Sequence, residues 1–396
     1  MKTTLFTRPK LLWASGIITI CLLATGAFFY YQLNSCIYKR EPKHTVSGWP
    51  FRTNGEIFSY PRTNRKHLFF ASLNGNFYCI DKNTGNLHWT YYDCRGVNSF
   101  VLKNDNVIIS IQGTLVSLAQ KDGKVNWSKF VSFFPVTIGL WDNDIICSGY
   151  DHLSLISTSS GKNLNSYNFK GQDGYFATKG NTLFISSYNI DSKDYVGHGQ
   201  VYSFNKLKAD PIWVTKLGGS SLGTLTVDEN FCYLGARDSK IYALDVVNGK
   251  VAWSINTKNV FSNSGLDNIG ISPIWADDHV LDLGKSIAFS ISHQNIGYPG
   301  AIVIVEKSTG GIESKWFHNQ SFCGKFISNG THLVCVTEDR KLLFYNLKAK
   351  SEEAKVISLP EGNRGEFSGV TNDNGILYVS GGDGCVYRMD QSELPF

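Results

Sequence analysis

Phe77-Tyr78-Cys79-Ile80-Asp81-Lys82-Asn83-Thr84-Gly85-Asn86-Leu87-His88-Trp89 returns, little changed, as Ile241-Tyr242-Ala243-Leu244-Asp245-Val246-Val247-Asn248-Gly249-Lys250-Val251-Ala252-Trp253. Both copies read the same way. An apolar run ends on an aspartate, whose carboxylate accepts N–H groups of the following turn. A glycine four residues on supplies a positive φ where a side chain would clash. Four residues later a tryptophan re-enters as the next strand and packs between neighbouring units.

Working outward, Leu115-Val116-Ser117-Leu118-Ala119-Gln120-Lys121-Asp122-Gly123-Lys124-Val125-Asn126-Trp127 is a further copy. Weaker ones end at Tyr167, Trp213, Trp316 and Val356, and Gly384-Cys385-Val386-Tyr387-Arg388-Met389-Asp390 is cut short before its tryptophan. The anchors from Trp89 to Val356 stand 38 to 46 residues apart, except for one interval of 63. A period near 40 is that of a four-stranded propeller blade. Alternating runs precede each motif, as in residues 67–72, 106–111, 144–148, 230–235, 332–337 and 375–380. Short period-2 segments separated by turn residues are the all-β pattern. The count predicts an eight-bladed β-propeller over residues 49–396. The last unit lacks its outer strand and the segment 49–60 lacks a partner, so that segment is expected to close the ring and remove the open edges.

The composition agrees. Of 396 residues, 42% are hydrophobic and 13% aromatic, with 38 Gly against 10 Pro. Lys2, Arg8, Lys10, Lys39, Arg40 and Lys43 against Glu41 account for the whole formal charge of +5, so the remainder is neutral. A neutral body has no global attraction for nucleic acid.

Residues 11–31 (LLWASGIITICLLATGAFFYY) carry no charge. That length spans a bilayer as a helix and exceeds the apolar core of most cleaved signal peptides. The expectation is a cytoplasmic N-terminus (1–10), a signal anchor (11–31), a polar tether (32–48) and a propeller exposed to the periplasm from the inner membrane. Leu33-Asn34-Ser35-Cys36 weakly resembles a bacterial lipobox, which leaves lipidation of Cys36 as the alternative.

The repeat resembles the tryptophan docking motif of the PQQ-like propeller superfamily, over about residues 67–396. Gly48-Trp49-Pro50-Phe51-Arg52 is similar to an opening common in such chains. The superfamily includes large quinoprotein dehydrogenases and the BamB outer-membrane assembly lipoprotein. The resemblance implies a structural role for Asp81, Gly85, Trp89, Gly123, Trp127, Trp213, Asp245, Gly249, Trp253 and Trp316. By likeness to the assembly lipoprotein, it implies a scaffold that binds another envelope or membrane protein, with no cofactor. A small quinoprotein dehydrogenase holding PQQ and calcium is the minor alternative, and an extracytoplasmic ligand-binding or sensor propeller another. The vicinal Cys-Cys pair frequent in the dehydrogenases does not occur here.

Departures from a regular blade locate the candidate surface. Residues 188–200 and 293–300 lengthen second-to-third-strand hairpins, and 256–270 lengthen a link between blades. Such hairpins and links emerge on one face of a propeller. Asp191, Asp194, Tyr195, His198, Asp267, Asn268, His293 and Tyr298 are therefore the candidate partner-binding residues. Asp191, Asp194 and Asp267 match no calcium-loop spacing. No Cys-x-x-Cys or His-Glu-x-x-His spacing points to zinc, and no Gly-x-Ser-x-Gly elbow is present. Cys323 and Cys335 flank the turn at Asn329-Gly330, which leaves a disulfide between them open.

Overall fold

Strand formation follows the apolar runs, and their burial shows how the blades stack. The computed structural model describes residues 48–393, apart from 58, 93, 95, 133–136, 149–151, 190–197, 222–223, 262–279, 292–298, 338, 340, 350–352 and 359–366. Second and third strands such as His67–Ser72, Asn76–Asp81, Phe231–Ala236 and Lys240–Asp245 are buried on both faces. Fourth strands such as Val125–Phe130 and Val251–Asn256 expose most of their residues. The period-2 pattern therefore survives only at the rim, and the middle strands read as continuous apolar runs because a neighbouring blade covers each face.

Eight four-stranded antiparallel sheets result. Blade 1 is Arg62–Thr63, His67–Ser72, Asn76–Asp81 and Leu87–Tyr91. Blades 2 to 7 repeat this meander over residues 97–130, 138–168, 172–216, 226–256, 280–318 and 322–358. In blade 8 the strands Phe367–Asp373, Ile376–Gly381 and Cys385–Asp390 are completed by Phe51–Arg52 from the start of the propeller. Phe51 stands opposite Val386 and Arg52 opposite Cys385. The ring closes as expected, with a strand of two residues. First strands of adjoining blades contact one another, as Phe322–Ser328 does with Phe367–Asp373, and so form the inner wall.

The core lies between blades. Phe69, Phe77 and Cys79 of blade 1 pack with Val107, Ile109 and Leu118 of blade 2. Tyr233 and Ile241 of blade 5 pack with Ile287, Phe289 and Val303 of blade 6.

The repeat motif builds each seam. Asp81 Oδ1 accepts the N–H groups of Asn83 and Thr84, and Asp245 Oδ1 those of Val247 and Asn248. Gly85 and Gly249 have φ of +73° and +71°. Trp89 then donates its indole N–H to the Gln120 carbonyl of the next blade at 2.9 Å, and its ring lies against Gly123. Trp127 with Thr158 and Gly161, Trp213 with Val246 and Gly249, and Trp253 with Lys307 and Gly310 repeat the joint. Tyr167 replaces the indole by donating its hydroxyl to the Lys206 carbonyl, and Trp316 stacks on Tyr345. Trp49, just ahead of the closing strand, donates to the Asn83 carbonyl of blade 1 and completes the set.

Two expectations change. Cys335 is a free, buried thiol, and the ladder pairs Cys323 with Val336. Cys335 therefore carries no bridge to Cys323. In blade 4 the hairpin strands run to Asn189 and resume at His198, so regular pairing absorbs both ends of the stretch expected to be loop. The expected span 11–31, Cys36 and nearly all of the tether lie outside the described residues. Among the described residues no helix is long and apolar enough to cross a membrane.

Candidate binding face

Second-to-third-strand hairpins and links between blades meet on one face because the backbone ties them there. In blade 4 the Leu217 N–H donates to the Gly199 carbonyl at 2.9 Å. A Cβ on Gly199 would sit 2.3 Å from the Gly219 carbonyl oxygen, so only glycine allows this approach. The Arg237 N–H donates to Ser220 and the Thr257 N–H to Ser239, joining the blade 5 hairpin to the links on either side.

A cavity of about 410 Å³ opens on this face at blade 4, lined by Lys170, Ser187, His198, Gln200, Lys216 and Leu217 among others. The wall is fixed by hydrogen bonds. Ser187 donates its hydroxyl to the Lys170 carbonyl at 2.8 Å, and the Lys170 N–H donates to the Tyr202 hydroxyl at 3.1 Å. The Tyr202 hydroxyl in turn donates to Gln200 Oε1. Lys170, His198 and Lys216 are exposed around the opening. Two exposed lysines and an imidazole beside a hydrogen-bonded polar floor suit an acceptor-rich or acidic segment of a partner.

His198 is the one candidate residue that the structure describes. It begins the third strand of blade 4, opposite Asn189. Asp191, Asp194, Tyr195, Asp267, Asn268, His293 and Tyr298 lie outside the described residues. The segments carrying them leave from the ends of described strands, at Asn189 and His198 and at Ile291 and Gly300, and from the end of the short helix Lys258–Phe261.

Sequence reasoning missed Lys170 and Lys216, which sit at ordinary strand ends with no motif around them. It also missed a recurrent tie on this face. Asn74 donates to the Tyr78 hydroxyl, and Tyr242 and Tyr387 donate to Asp238 and Asp383. The fixed spacing Asn/Asp-x-x-x-Tyr was the available signal. At blade 7, Asp339 is held by Lys341 at 2.6 Å, by Thr337 and by His318 at 3.2 Å. Burial works to raise its pKa, but these donors outweigh burial and bring it down to about 2. Among the described residues, no three His, Cys, Asp or Glu side chains gather to hold a metal ion.

Comparison with known proteins places this geometry. The family model described as outer membrane protein assembly factor BamB matches residues 40–129 and 150–312. The protein of that name from Taylorella asinigenitalis is 26% identical over 189 residues, covering 46% of this chain. The match spans only 39% of that relative's length. The crystal structure of BamB from Moraxella catarrhalis superposes with a TM-score of 0.62 at 16% identity, over 87% of this chain and 98% of that one. The quinohemoprotein alcohol dehydrogenase of Comamonas testosteroni gives 0.66 at 14% identity, over 87% and 76%. At such identities the two structures attest the fold alone. The family model covers more than half of the sequence, and the chain belongs to the family of the outer membrane protein assembly factor BamB.

Proposed function

We propose that this chain is a protein-binding scaffold of the cell envelope, acting in outer-membrane protein assembly rather than in catalysis. The reading places residues 11–31 in the inner membrane as a single-pass anchor and the propeller in the periplasm. The partner is another envelope protein. It docks on the face of the second-to-third-strand hairpins over blades 4 to 6, and Asp191, Asp194, Tyr195, Asp267, Asn268, His293 and Tyr298 contribute beside His198.

The observation that carries the proposal is the cavity of Lys170, His198 and Lys216 on that face, in a chain of this family. A rigid ring with a polar, cation-edged recess is suited to position a partner. Charge edges of this kind chiefly set orientation and encounter rate. The test is reversal of both charges in the full chain, Lys170→Glu with Lys216→Glu, followed by cross-linking in native membranes and mass spectrometry. Cross-links to an outer-membrane assembly protein are expected to fall about tenfold or more, roughly the loss of one charge-assisted contact. Unchanged cross-linking to that protein, or none in the unmodified chain, would reject the reading.

A further inference from the structure

Two cations stand on the inner wall of the ring, and among the described residues no anion pairs with either. Arg62 opens the first strand of blade 1, and Lys325 lies in the first strand of blade 7, Phe322–Ser328. Solvent reaches both side chains. Even so, burial lowers the pKa of each, and the charge of Arg62 lowers that of Lys325 further. Contact with water combined with lost hydration is the condition of a group in a narrow, water-filled channel.

Among the described residues their neighbours are rings rather than carboxylates. The Arg62 guanidinium lies 5.6 Å from the centre of the Phe100 ring, and the Lys325 ammonium 5.4 Å from that of Tyr60. Tyr60 is seated on the first strand of blade 8, where a Cβ at Gly369 would come within 2.4 Å of its ring. A ring face attracts a cation only weakly compared with an opposite charge.

The contrast with lysines less open to solvent is sharp. Lys82 pairs with Asp373, Lys206 with Asp142 and Asp144, and Lys307 with Asp228 and Asp282. Among the described residues Arg62 and Lys325 form no ion pair. The described residues supply aspartates to those lysines and none to this pair, which stands open to a ligand entering along the axis.

We propose that the central channel holds an oxyanion, the carboxylate or phosphate group of a small molecule, between Arg62 and Lys325. The guanidinium fork accepts two oxygens of such a group side by side, and the ammonium adds a point charge from the other side of blade 8. The inference is independent of the partner-binding face, which lies at blade 4.

The experiment is titration calorimetry and thermal unfolding of the full chain. Inorganic phosphate and succinate are compared with chloride at equal ionic strength. One equivalent of phosphate or succinate should bind saturably and raise the unfolding midpoint, and whichever binds tighter identifies the class of ligand. Arg62→Gln and Lys325→Gln should each weaken binding about tenfold or more, whereas Lys208→Gln, on the outer surface, should leave it unchanged. In chloride alone Lys325→Gln should unfold at the same temperature as the unmodified chain or higher, because it removes a charge that no described carboxylate offsets. Absence of saturable binding by both anions would overturn the proposal. So would equal binding by the unmodified chain and both channel variants, or a lowered midpoint for Lys325→Gln in chloride.

Discussion

Asp339 shows what a single side chain contributes on the hairpin face. Its carboxylate is held at about 2, below its ordinary value, by Lys341, Thr337 and His318 acting against burial. A depressed folded-state pKa gives stability that is complete above the unfolded value near 4 and is lost as pH falls towards 2. Partial exposure discounts the size. Asp339→Asn is expected to lower stability by about 1–2 kcal/mol at pH 7. Urea unfolding of both proteins should show the difference shrinking below pH 4 and gone near pH 2. At this scale the sequence was legible where a motif repeats. Asp81, Gly85, Trp89, Asp245, Gly249 and Trp253 do what their spacing implies. Asp339, Lys170, Arg62 and Lys325 were not legible, because each owes its environment to residues far away in the chain.

At the scale of elements, the seam between blades rests on an indole against a glycine. Gly249 has a φ of +71°, and a Cβ there would lie 2.5 Å from the Trp213 ring. Alanine adds left-handed strain of about 1–2 kcal/mol and must also displace the ring. Gly249→Ala is therefore expected to cost more than about 2 kcal/mol. Gly330→Ala carries the strain alone, since nothing lies within 4 Å of its Cβ position, and should cost about 1–2 kcal/mol. Equal unfolding midpoints for the two variants would show that the indole contact contributes nothing. The degraded copies explain why these joints were partly hidden. Gly161 and Gly310 receive Trp127 and Trp253 although the residues around them have drifted, and Tyr167 serves where no tryptophan remains. A joint needs a ring that reaches the next blade, not the full motif, since Tyr167 meets Lys206 in a turn that holds no glycine. The blade 4 hairpin was misjudged in length for a related reason. Residues 188–200 read as loop, whereas the ladder extends to Asn189 and resumes at His198, beside the hydrogen bonds that Ser187 and Tyr202 make with Lys170.

For the whole molecule, closure depends on a strand of two residues. Phe51 is fully buried against Phe70 and Tyr78 of blade 1, and Trp49 reaches the Asn83 carbonyl at 3.0 Å. Phe51→Ala should cost about 3–5 kcal/mol. Its effect on hydrogen exchange should concentrate in Cys385–Asp390, which loses its edge partner, and leave blade 4 nearly unchanged; uniform acceleration around the ring would show that closure is not local. The number of blades and this closure could be counted from the sequence because each unit carries its own punctuation. The face proposed for binding was singled out by its long hairpins, yet the cations on it could not be read from the sequence, since topology alone brings Lys170 and Lys216 to one opening.

The central claim is that partners dock on the hairpin face near blade 4. A photo-reactive amino acid placed at His198, and separately at the exposed Asp105 at the opposite ends of the strands, tests it in living cells. The account predicts cross-links to an envelope assembly protein from position 198 and none from position 105. Cross-links from position 105 alone, or from neither position, would contradict it.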